Sequence, residues 1–71
     1  MDKATARQLS ALLEAAIAKL SETLEVADGS VPPEEFETLK RGVGLAIGRI
    51  SHELLDAIYG QFPDLAPPGV L

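Results

Sequence analysis

The sequence predicts an all-α protein: an antiparallel two-helix hairpin that dimerises into a four-helix bundle. Three observations lead there. The apolar residues are of the helix-forming kind, eleven Leu and ten Ala against four Ile, four Val, two Phe and one Tyr, and β-branched and aromatic residues are what strands would need. These apolar residues recur at steps of three and four along two long segments. A breaker cluster, Asp28-Gly29-Ser30-Val31-Pro32-Pro33, separates the two segments and marks a turn.

The first helix is expected over about residues 2–28, a stretch without Gly or Pro. Ala6, Leu9, Leu13, Ala16, Leu20 and Ala27 form its seam, with Ile17 and Leu24 beside it and Glu14, Lys19, Glu22 and Glu25 outside. At about 100° per residue this is one apolar stripe. Gly29 supplies the stop, because glycine is the usual residue just past a helix end.

Residues 29–32 are expected as the loop. The second helix is expected over about 33–61, opened by Pro33, whose missing N–H is not needed in a first turn. Glu34, Glu35 and Glu37 follow and suit the positive end of the helix dipole. Its seam reads Phe36, Leu39, Val43, Ile47, Ile50, Leu54 and Ile58. Helices of about 27 residues, each roughly 40 Å long, joined by a short loop become antiparallel neighbours. Residues 62–71 carry Pro63, Pro67 and Pro68 and read as an extended tail. Within the tail, Phe62, Leu65 and Leu71 could dock on the bundle, or the proline-rich stretch could serve as a linear motif for a partner.

A chain of 71 residues makes one domain at most. A domain this small buries only about 60% of its unfolded surface and usually needs a staple. There is no Cys and only one His, so disulfides and thiolate metal cages are excluded and oligomerisation is left. The second helix also carries apolar residues beyond its seam. Gly44, Leu45, Gly48, Ser51, Leu55, Tyr59 and Phe62 fall on a second face, which a hairpin alone leaves in water. Such a patch marks an interaction site, and these seven residues are the candidate dimer interface. Each mid-helix glycine costs about 1 kcal/mol relative to Ala. Gly44 and Gly48 are therefore read as a strip for close helix approach, with a kink around Gly42–Gly44 as the alternative.

Chemistry finds little support. His52 and Asp56 share a helix face at i, i+4, which is at most half a metal site, and no Ser or Thr has a histidine pair to activate it. Gly42-Val43-Gly44 lacks the Lys-Ser/Thr of a phosphate loop. No enzyme, cofactor or metal is expected. Glu22, Glu25, Asp28, Glu34, Glu35 and Glu37 make the hairpin tip acidic, a candidate docking surface for a basic partner. With a net charge of −5 and scattered bases, the chain lacks the basic footprint that nucleic-acid binding requires. The longest apolar run, residues 42–48, is far short of the about 20 residues of a membrane span. The start of the chain has no signal-peptide character, so a cytoplasmic protein is expected.

In layout the chain resembles the small plasmid copy-number regulators that dimerise as antiparallel hairpins. That resemblance implies a hairpin dimer and, for those regulators, RNA binding through basic and aromatic surface residues that have no counterpart motif here. The segment Pro33-Glu34-Glu35-Phe36, continuing through Leu39-Lys40-Arg41-Gly42-Val43-Gly44 to Phe62-Pro63-Asp64-Leu65, is also similar to short bacterial proteins, a likeness that implies no activity. The expected function is a non-enzymatic interaction module, an adaptor or regulatory subunit, acting as a homodimer with room for a protein partner. Two other classes stand beside it: a small-molecule or metal carrier using the bundle interior near His52, and a hairpin-dimer RNA-binding regulator.

Overall fold

The computed structural model describes residues 1–67. Two helical rods lie side by side, with no strand among the described residues. The first rod is α1 (Lys3–Ala27). Asp2 caps it: its carboxylate accepts a hydrogen bond from the Thr5 backbone N–H at 3.2 Å, and hydrogen bonding by the Thr5 side chain first, and by that backbone N–H second, holds the Asp2 carboxyl below its ordinary pKa. At the other end the chain leaves the helix through Gly29, whose φ of +78° lies where residues with a Cβ are strained. The Ser30 N–H then donates to the Ala27 carbonyl at 2.9 Å, closing the turn.

The second rod has three parts. α2 (Pro33–Arg49) opens with Pro33, Glu34 and Glu35 in its first turn and closes with Arg49 in its last, charges that match the helix dipole at both ends. It passes through Gly42, Gly44 and Gly48 without a break. A π-helical turn, Ile50–Leu55, follows, in which the Asp56 N–H reaches back five residues to the Ser51 carbonyl. α3 (Asp56–Gln61) completes the rod. The irregularity expected at the glycines therefore lies six residues further on, in a segment with neither Gly nor Pro.

Over residues 63–66 the chain is not the extended tail that its prolines suggest. Pro63–Leu65 forms one turn of 3-10 helix, with the Leu65 N–H donating to the Phe62 carbonyl at 3.0 Å and the Ala66 N–H to Pro63 at 3.2 Å. Phe62, Leu65 and Ala66 pack on the core. Lys3 bonds to the Asp64 carboxylate, tying this turn to the start of α1 and holding the Asp64 carboxyl below its ordinary pKa. Leu71 and the rest of 68–71 lie outside the described residues.

The core is small and sits at the open end of the hairpin. Ala6, Leu55, Ile58 and Tyr59 are its buried members, with Leu13, Ile17, Ile50 and Phe62 packed against them. Ser10, also buried, donates its hydroxyl to the Arg7 carbonyl at 3.0 Å, so this polar group is satisfied. The Tyr59 hydroxyl donates to Glu14 at 2.9 Å, a bond from α3 to α1. Burial first, and that hydrogen bond second, push the Tyr59 phenol above its ordinary pKa.

Candidate interaction surface

The surface follows from how the two rods are phased. On α1 the inward residues are Ala6, Ser10, Leu13, Ile17, Leu20, Leu24 and Ala27, all buried or half-buried. Their steps are strictly four and three. The seam keeps Ala6, Leu13, Leu20 and Ala27 and is turned by about 50°, half of one residue's rotation, from the sequence reading: Ser10, Ile17 and Leu24 point in, and Leu9 points out. One position back along the chain runs a second strip with the same steps: Thr5, Leu9, Leu12, Ala16, Lys19, Thr23 and Val26. It is exposed apart from half-buried Ala16, and Lys19 is its one charge.

The π-turn sets the phase of the second rod. Inward residues Phe36, Val43, Ile47 and Ile50 keep the helical spacing; Ser51 is half-buried beside Ile50, and the next large inward residue is Leu55, five positions on from Ile50. A π-turn is in effect one extra residue in an α-helix. It carries the stripe from Ile50 to Leu55, Tyr59 and Phe62 rather than to Leu54. Leu55 is 4% exposed and Leu54 47%.

Leu54 thereby comes to lie beside Leu9 and Leu12. Together with Met1, Leu13, Glu53, Ala57 and Ile58 they line an open groove of about 490 Å³ between α1 and the second rod. Glu53 is its one charged residue, and Arg49 lies 3.7 Å from it. Further along the strip Val26 stands in water, with Lys19 and Glu22 paired beside it at 3.2 Å.

The seven residues expected to form a dimer face do not stay together. Leu55 and Tyr59 lie inside the chain's own core, and Phe62 packs against it. Leu45 and Gly44 are exposed, while Gly48 and Ser51 are half-buried. A Cβ built at Gly44 or Gly48 would meet nothing within 4 Å, so neither glycine serves a close approach within the chain. The sequence reading left Leu55, Tyr59 and Phe62 in water because it extended an unbroken α-helix through residue 61. It missed the α1 strip, although the 4-3 spacing from Thr5 to Val26 is legible.

The remaining candidates are simpler. All six acids of the tip, Glu22, Glu25, Asp28, Glu34, Glu35 and Glu37, are exposed. His52 points to solvent with its Nδ1 3.4 Å from the Asp56 carboxylate, so it does not line an interior. Among the described residues, no three His, Cys, Asp or Glu gather as metal ligands, and no helix is long and apolar enough to cross a membrane. Lys3, Lys19 and Arg49 each pair with a carboxylate. Compared with known protein families, with curated proteins and with solved structures, the chain has no match.

Proposed function

We propose that the chain is a non-enzymatic helical interaction module, an adaptor or regulatory subunit that works as a homodimer completing a four-helix bundle. The supporting observation is its uncovered surface. A compact monomer of 7.5 kDa exposes about 4,200 Å², and this chain exposes 5022 Å². The surplus is about 800 Å², because a rod of 45 × 20 × 16 Å leaves its long sides uncovered. Its radius of gyration is 14.6 Å, where a compact fold of this length has about 11 Å.

What is exposed is also apolar. Leu9, Leu12, Val26, Leu39, Leu45 and Leu54 are all substantially in water. A monomer rarely leaves so many large side chains uncovered unless they meet something. Sedimentation equilibrium at micromolar concentration tests the proposal. The expected result is twice the 7.5 kDa chain mass; a chain that stays monomeric there overturns the homodimer.

A further inference from the structure

We infer that the dimer face is the outer strip of α1 together with Leu54, and that its occupant is the same strip of a second copy, running antiparallel. This rests on the homodimer proposed above and names the surface that forms it. Three observations select the face.

The first is continuity. Leu9, Leu12 and Leu54 surround one groove, whereas exposed Leu45 has Gly44 and Gly48 as its neighbours on α2, which present little side chain. The α1 side thus joins several large apolar groups into one surface.

The second is pattern. The strip from Thr5 to Val26 alternates steps of four and three, the spacing that lets one helix pack along another. A two-fold axis near Leu12 sets Leu12 against the partner's Leu12 and Leu9 against the partner's Ala16. Thr5 then meets the aliphatic stem of the partner's Lys19. Away from the axis a large residue meets a small one, Leu9 against Ala16, and at the axis the partner's Leu12 side chain projects toward the groove. An interface of this isologous kind is what a two-fold dimer requires.

The third is charge. Between Glu22 and Glu37 lie six acids and no base, all at one end of a rod 45 Å long. Parallel alignment would set two such tips together. Antiparallel alignment separates them by several Debye lengths of about 8–10 Å, and the strip between them holds no carboxylate.

Leu12 and Leu45 make a matched pair for the test, being 63% and 68% exposed, so that neither substitution disturbs the core. Leu12→Glu is expected to raise the dimer Kd by about tenfold or more, with helicity by circular dichroism unchanged, and Leu45→Glu to leave it unchanged. If wild type is a dimer, Leu12→Glu stays dimeric and Leu45→Glu becomes monomeric, the inferred face is wrong while the homodimer stands. If wild type is itself monomeric, both fall. The chain has no cysteine, so single-cysteine variants report the alignment. Leu12→Cys should form a disulfide-linked dimer on mild oxidation. Thr23→Cys should not, its two copies being roughly 33 Å apart in the antiparallel pair. Linkage through Thr23→Cys, with or without linkage through Leu12→Cys, overturns the antiparallel arrangement.

Discussion

At the open end of the hairpin Ala6, Ser10, Leu55, Ile58 and Tyr59 are buried. At the loop end, among the described residues, only Ala27 is, and α2 has no buried residue along its length. Both ends are made of two helices with apolar residues at helical spacing, so spacing does not explain the difference. The open end has a third element. The turn at Pro63–Leu65 folds back, bringing Phe62, Leu65 and Ala66 over the helix pair, and Lys3 and Asp64 fasten it. Two rods touching along a line can cover a small side chain such as Ala27 but not enclose a large one; a third layer can. At the loop end no third layer is present, and Val26 and Leu39 remain in water.

The largest effect should come from neighbouring leucines that this comparison separates. Leu55→Ala removes a buried side chain and should cost about 2–5 kcal/mol. A domain this size has only about 4–11 kcal/mol in total, so much of the population should unfold. In a disruption of the dimer, Leu54→Ala should loosen association while leaving the helical content of the chain intact. Denaturant titration followed by circular dichroism distinguishes them. Equal costs for the two leucines would mean that the π-turn does not set the register.

A smaller effect is expected at the bond that spans the rods. Tyr59→Phe keeps the ring and deletes the hydroxyl that donates to Glu14, a loss of about 0.5–1.5 kcal/mol. The pH dependence has a definite sign. Because the folded state raises the phenol pKa, the neutral form is favoured there. The stabilisation is complete below the unfolded value near 10.0 and is lost as pH rises through the folded value. Wild type should therefore weaken above pH of about 10, and Tyr59→Phe should lack that component. Smaller again, Leu39→Ala should cost less than Leu55→Ala in the same titration, because Leu39 is already largely hydrated; parity would remove the contrast between the ends.

The hairpin itself was legible. Helix-forming composition, the breaker at 28–33 and the opening Pro33-Glu34-Glu35 gave two rods and one turn, and each is where those residues imply. The phase of the rods was less so. On α1, Leu9 is the more apolar residue and Ser10 the buried one, because Ser10 can satisfy its hydroxyl on the Arg7 carbonyl and fit against a close neighbour. On the second rod the difficulty is deeper. Ile50, Leu54 and Ile58 form one helical stripe, while Leu55, Tyr59 and Phe62 form another, and both are apolar. What decides between them lies far off in sequence: Glu14, 45 positions from Tyr59, and the returning turn. Periodicity carries no information about either, so three of the seven residues drawn as a dimer face from an unbroken helix, Leu55, Tyr59 and Phe62, are ones the fold uses in its own core.

The smallest expected effect is the sharpest probe of that choice. His52 sits in the π-turn, exposed, with Asp56 as its one side-chain partner at 3.4 Å. Deleting it shortens the step from Ile50 to Leu55 from five residues to four, the spacing that an ordinary α-helix supplies. The seam before the turn and the buried cluster after it should then stay in phase with the π-turn gone. Inserting one Ala after His52 instead makes the step six. That rotates Leu55, Tyr59 and Phe62 about 100° off the core and should lower the thermal midpoint by well over the about 4–8 °C that corresponds to 1 kcal/mol. Deletion should leave the midpoint within that interval, in either direction. If deletion and insertion prove equally damaging, the π-turn is held by its own local contacts and not by the competition between the two stripes. If only insertion is damaging, the fold has chosen Leu55 over Leu54 and accommodated the extra residue to do so.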